Sequence, residues 1–286
     1  MSDFFKYHAL GNDYIVMDPN KTGYALSEEN IRLICHRNFG VGSDGILYGP
    51  LLEGGSMRLR ILNPDGSEAE KSGNGIRIFS RYLVEAGYVS GREFSLVTAG
   101  GVVKVAVLDD AASLIKVDMG AADFNSQSLP VTGPAREVLG ERIHVGGAAY
   151  DINCVSMGNP HCVILVGALS RELAERIGPL VETHPLFPRR TNVQFVQILD
   201  EGNIRIEIWE RGAGYTLASG SSSCAAASVA HRLGLTRPAV KVHMPGGVID
   251  IEIMPDGHVF MTGPASGVMA GDFAADLRRA LEGGGR

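Results

Sequence analysis

No apolar run in the sequence approaches the roughly 18–20 residues that a membrane span requires. The longest, CVILVGAL at 162–169, is the length of a strand, so no membrane partner is expected. The start, MSDFFKYHALGNDY, has neither the basic segment nor the apolar stretch of a secretory leader, which points to a cytoplasmic location. Basic charge is also scarce. There are 26 Lys and Arg against 32 Asp and Glu, a net charge of −6, whereas nucleic-acid phosphates call for clustered cations. Arg189-Arg190 is too short a run to change that, and no nucleic-acid partner is expected. The four cysteines, Cys35, Cys154, Cys162 and Cys224, make no CxxC and lie far apart, which fits reduced core thiols better than disulfides or a zinc site. What is present is an ordinary folded composition, 45% hydrophobic and 20% charged, with 37 glycines against 13 prolines to make tight turns. At 286 residues the chain is long enough for two domains, each with its own core.

Two segments repeat a design. AEKSGNGIRIFSRYLVEAG at 69–87 and LASGSSSCAAASVAHRLG at 217–234 each place a serine before a glycine-rich turn, and Ser72 and Ser219 stand 147 residues apart. The same offset carries Gly11-Asn12 onto Gly158-Asn159, Asn63 onto Glu210 and Gly87 onto Gly234. An offset of 146 carries GGVVKVAVL at 100–108 onto GGVIDIEIM at 246–254. The chain therefore reads as a duplicated unit, with halves at 1–120 and 121–264 and a C-terminal segment, 265–286, expected to pack back on the first half. In that segment FAADLRRALEGGGR is expected to fray after a short helix. Runs such as MRLRIL, VVKVAV, VQFVQIL, IRIEIWE and VIDIEI alternate with the period of half-buried strands. After each serine the period becomes helical. Ile76, Phe79 and Leu83 share one face before Gly87, and Ala225, Ala226, Val229 and Leu233 do so before Gly234.

The positions that recur are polar loop residues, which favours a site shared between the copies over a repeat kept for structure alone. A helix start after a glycine-rich turn offers backbone N–H groups and a partial positive charge, and so binds carboxylates or phosphates. Neither SGNG nor SGSSS completes a nucleotide-binding GxxxxGK[ST] or GxGxxG, so a carboxylate is the better ligand. Serine is also a preferred helix cap, the plain structural reading of Ser72 and Ser219. Two matched half-sites around a carboxylate-bearing carbon suit stereoinversion, with a proton leaving one face and returning on the other.

The motifs GNDYIVMD, NPDGSEAEKSGNGIRIFSRYL, MGNPHCV, RTNVQFV and WERGAGYTLASGSSSCAAA, in order over nearly the whole chain, resemble those of the diaminopimelate epimerases. These are cofactor-independent enzymes that interconvert LL- and meso-diaminopimelate for lysine and peptidoglycan precursor synthesis. The resemblance implies an α/β (α+β) fold of two pseudo-symmetric duplicated domains, each a β-barrel-like sheet around a central helix, with the site in the cleft between them. It implies a small amino-acid substrate, no metal and no pyridoxal phosphate; a homodimer is compatible with it. The α-carboxylate is expected on the backbones of Gly73-Asn74 and Gly220-Ser221. The distal end is expected on Asn12, Asn63, Asn159, Asn192, Glu210 and Arg211, where the guanidinium can grip a carboxylate bidentately and amide oxygens or Glu210 can receive an ammonium.

The chain departs from the family at the bases. The family places a cysteine at the head of each helix, favoured there as thiolate; this chain has Ser72 and Ser219, and its second motif reads SGSSSC where CGTGAC is commoner. His161 and Glu210 are the candidates by motif for activating the serines, with a hydrogen-bonding role for His161 as the alternative. Three readings stand: a working two-base epimerase, a lyase or isomerase of another class on the same fold, and a binder without turnover.

Overall fold

The computed structural model describes residues 2–283. It divides into two compact units, one built from Met1–Val117 with Gly263–Arg286 and the other from Asp118–Thr262. The helices are α1 (Glu28–Cys35), α2 (Gly73–Glu85), α3 (Arg171–Glu182), α4 (Gly220–Arg232) and α5 (Ala275–Glu282), and the rest of the regular structure is strand. The fraying expected beyond α5 falls in 284–286, outside the described residues.

In the first unit, strand Phe4–Ala9 pairs antiparallel with Asn12–Met17, which runs parallel to Ile46–Glu53 after the α1 crossover. Ile46–Glu53 folds back on Ser56–Leu62. After α2, Glu93–Thr98 lies parallel to that strand and opens a meander through Gly101–Val107 and Leu114–Ala121. The second unit repeats the path: Ala148–Ser156 with Pro160–Leu165, a parallel partner Asn192–Asp200 after α3, then Asn203–Glu210, α4 and a parallel strand Ala239–Met244. The units differ at one edge. Phe4–Ala9 is flanked by Ser266–Gly271 from the far end of the chain, whereas its counterpart Ala148–Ser156 is flanked by the preceding strand Leu139–Val145. The C-terminal segment is tied into the first unit by Phe4 stacked on Phe273 at 5.3 Å and by Asn30 Nδ2 donating to the Leu281 carbonyl at 2.9 Å.

Each unit wraps its sheet around one helix. Helix α2 packs on the strands at 4–9, 12–17, 46–53 and 101–107, and α4 packs on six strands of its unit. The sequence pattern predicts a single apolar face on each, yet the burial goes nearly all round: 73–80 are buried in α2, and 220 with 222–230 in α4. In α4 small residues make this feasible, because Ala and Ser let strands close in on every side, whereas α2 buries large side chains, Arg77, Phe79 and Tyr82 among them. Leu233, expected on the buried face of α4, is instead the C-cap and 37% exposed, since the helix has already ended. Both helices stop at a glycine in left-handed conformation, Gly87 (φ 77°) and Gly234 (φ 72°), where the next amide reaches back to the Leu83 and Ala230 carbonyls.

Helix α3 packs on strand Asn203–Glu210, and Gly178 allows the contact: a Cβ there would fall 2.6 Å from Cβ and Cγ of Trp209. Gly178→Ala is expected to lose about 1–3 kcal/mol by overpacking. Urea unfolding followed through the fluorescence of Trp209, the chain's single tryptophan, checks it directly.

Candidate active site

The first cluster of candidate residues is organised by the start of α2. Ser72 is its N-cap, with extended backbone (φ −137°, ψ 114°), and its Oγ accepts from the Gly75 amide at 3.0 Å. The Tyr14 hydroxyl lies 3.2 Å from the same Oγ. Gly73 and Asn74 follow in the first turn, where helix geometry supplies no carbonyl to receive their amides. Asn12 follows the two-residue turn Leu10-Gly11, both at positive φ, and exchanges bonds on both sides: its Nδ2 donates to Asp44 at 2.8 Å, and its Oδ1 accepts from Asn74 Nδ2 at 3.1 Å. Asn74 Oδ1 in turn accepts from Arg77 Nη2 at 2.7 Å. Arg77 is wholly buried and also donates to the carbonyls of Gly73 and Pro264. Asn63 lies in the turn after strand Ser56–Leu62, where its Nδ2 donates to Ser67 Oγ at 2.9 Å.

The second cluster belongs to α4. Ser219 caps it in the same extended conformation (φ −146°, ψ 127°), with its Oγ 3.5 Å from the Ser222 amide; Gly220 and Ser221 take the places of Gly73 and Asn74. Asn159 stands in the turn between strands Ala148–Ser156 and Pro160–Leu165, and its Oδ1 lies 2.9 Å from His161 Nε2. Asn192 braces backbone, donating to the Pro160 carbonyl and accepting from the Arg211 amide, both at 2.9 Å. Glu210 ends strand Asn203–Glu210 half-buried, and Arg211 opens the turn beyond it with its side chain exposed. Glu182 of α3 holds that turn, taking the Gly212 amide at 3.0 Å and the Trp209 indole N–H at 2.7 Å.

His161 is entirely enclosed, and burial pushes its pKa down to about 3, so the ring is neutral near pH 7. A neutral buried imidazole hydrogen-bonds well but holds a full proton poorly. Among the described residues no group of three or more His, Cys, Asp or Glu is arranged to hold a metal ion, and the four cysteines are buried and outside any disulfide.

The diaminopimelate epimerase sequence profile matches residues 4–125 and 153–268. The chain belongs to the diaminopimelate epimerase family. It is similar to diaminopimelate epimerase 2 of Nostoc sp., 52% identical over 275 residues and 96% of each chain. It is also similar to a diaminopimelate epimerase of Moorella thermoacetica, 42% identical over 96% of this chain and 99% of the other. Among solved structures, a hydroxyproline epimerase from Agrobacterium vitis with bound trans-4-hydroxy-L-proline aligns over 93% of this chain and 90% of its own, at TM-score 0.68 and 14% identity. A methylitaconate-delta-isomerase aligns over 94% of each chain at 0.63 and 14%. At that identity the likeness concerns the fold, the duplicated α+β architecture described above.

Within this family member, the sequence motifs mark the residues at the two helix starts but pass over those that hold them. Arg77 left a signal, a charged residue one turn beyond Gly73-Asn74 between the apolar Ile76 and Ile78. Asp44, Glu182 and Gln194 left none, because each acts on residues 28 to 32 positions away. Arg77→Met, which removes the donor to Asn74 Oδ1 and to the Gly73 and Pro264 carbonyls, is expected to cost about 1–3 kcal/mol in denaturant unfolding. The His161 pKa predicts a pH dependence. Its folded value lies below the ordinary 6.5, so its contribution is intact above about pH 6.5 and is lost as the pH falls toward about 3, because only the unfolded chain takes up the proton. Between about pH 7.5 and 4.5 the native chain should lose roughly 2–3 kcal/mol more stability than His161→Gln, read from urea midpoints.

Proposed function

We propose that this chain is a cofactor-independent amino-acid epimerase that inverts the α-carbon of LL-diaminopimelate to the meso form, with one proton-transferring group at each helix start. The observation that carries the reading is the near-full-length identity with proteins named diaminopimelate epimerase, 52% and 42%. The two capped helix starts support it. Removing an α-proton shifts negative charge onto the α-carboxylate, and first-turn amides at Gly73-Asn74 and Gly220-Ser221 are suited to that charge. Arg211 and Glu210 offer a cation and an anion for the distal carboxylate and ammonium. Asn12, Asn63, Asn159 and Asn192 act in this reading through the turns and bonds described above.

Ser72 and Ser219 stand where the family motif has its two cysteine bases. A thiol ionises near pH 8.5 and an alcohol nearer 15.7, so a serine base starts roughly 10 kcal/mol worse. A helix dipole returns about 0.3–2 kcal/mol of this. A neutral His161 with a pKa of about 3 is too weak a base to close the gap, which leaves Glu210 as the activating group of this reading. A second reading, a binder that holds the amino acid without turnover, draws on one feature: each serine Oγ already accepts an amide of its own helix.

Deuterium incorporation at Cα of LL-diaminopimelate in heavy water separates the two. The epimerase reading expects exchange by the native chain, lost in Ser72→Ala and Ser219→Ala, and faster by several orders of magnitude in the Ser72→Cys/Ser219→Cys double variant. Exchange that is absent in the native chain and arises only with both cysteines assigns the binder reading. No exchange in the double cysteine variant, with the fold intact, refutes the substrate assignment itself.

A further inference from the structure

Two polar atoms near the start of α4 lack a hydrogen-bond partner among the described residues: Nδ1 of His161 and Oε1 of Gln194. Both side chains have no exposed surface. An unpaired buried polar atom loses its water without a replacement, so two of them on neighbouring residues call for an explanation. The strand register supplies one. His161 lies opposite Asn192, and Val163 opposite Gln194, on parallel strands, so alternation puts the imidazole and the Gln194 amide on one face, diagonal neighbours under α4. Gln194 Nε2 reaches Ser222 Oγ of that helix at 3.0 Å.

In the first unit this corner has a single polar side chain, Tyr14, and its hydroxyl lies by Ser72 Oγ. The 147-residue offset carries Tyr14, Leu47 and Gly75 onto His161, Gln194 and Ser222, and Leu47 holds the same place in its sheet, opposite Val16. There the contact is apolar: a Cβ on Gly75 would meet Leu47 Cδ2 at 2.9 Å. In the second unit all three positions are polar together, as expected of groups that satisfy one another.

We propose that Gln194 is a positioning residue that fixes His161 as the Nδ1–H tautomer, its Oε1 accepting the Nδ1–H while its Nε2 stays on Ser222. A glutamine oxygen can only accept, so the pairing requires the proton on Nδ1. Nε2 then carries a lone pair, and the Asn159 amide turns to donate Nδ2–H to it, an exchange of amide O and N that leaves the heavy-atom positions unchanged. The chain of bonds runs from Asn159 through His161 and Gln194 to Ser222 with every buried atom paired. Gln194 opposes the downward push of burial on the imidazole pKa, the effect of an acceptor at the ring. Turning Asn159 also points its Oδ1 away from the ring, as an acceptor for a substrate ammonium. That last consequence rests on the epimerase reading; the tautomer does not.

Nitrogen-15 NMR of protein labelled at histidine, near pH 7, tests this, with the His161 signals assigned by their loss in His161→Gln. The expected result is protonated Nδ1 and unprotonated Nε2 in the native chain, retained in Gln194→Glu, which keeps an acceptor, and shifted toward Nε2–H in Gln194→Leu. An Nε2–H ring in the native chain overturns the proposal, as does an Nδ1–H ring unchanged in Gln194→Leu. If the leucine variant fails to fold, the native chain and Gln194→Glu still decide. No substrate is added, so the result stands apart from whether the chain turns over diaminopimelate.

Discussion

A helix enclosed by its own sheet has to find partners for the amides of its first turn, and that constraint governs both units. Helices α2 and α4 are buried on almost every side, α4 with a sequence rich in Ser and Ala and α2 with large side chains such as Arg77, Phe79 and Tyr82 enclosed by its sheet. Each starts at a serine in extended conformation that accepts one amide, and the two residues after it sit where the helix provides no acceptor. The partial positive charge left at that spot follows from the architecture and needs no charged side chain. The glycine that ends each helix in a left-handed turn solves the opposite problem at the far end.

The two units meet this constraint with different polar supports. Around α2 a fully buried Arg77 anchors Asn74, which anchors Asn12, which rests on Asp44. The residue of α4 that matches Arg77 is Cys224, a buried thiol, and the support comes instead from Gln194 on Ser222 and from Glu182 beneath the 210–214 turn. Duplication therefore kept the backbone design and let the side chains beneath it diverge.

In the proposed reading a serine takes the place of a thiol base at each helix start, where Ser72 and Ser219 serve as caps. What changes is acidity. The first-turn amides lack an acceptor within the helix whether or not the capping group can move a proton, which is why binding and turnover are separable questions for this chain.

The sequence alone determined a good deal. The 147-residue offset, the strand runs with period two, the serine caps and the glycine stops are all local, and local signals such as these depend on backbone geometry within a few residues. The family assignment rests likewise on motifs legible in order along the chain. The tertiary structure decided the rest. Burial around the full circumference of α2 and α4 depends on strands brought from far along the chain, so periodicity showed only one face, and Leu233 fell outside the helix it was assigned to. The supports of the site were equally hidden: Arg77 meets a carbonyl 187 residues away and Gln194 meets Ser222 from 28 away. A neutral His161 is likewise a product of enclosure, since an imidazole loses its basicity only when the folded chain has removed the water around it.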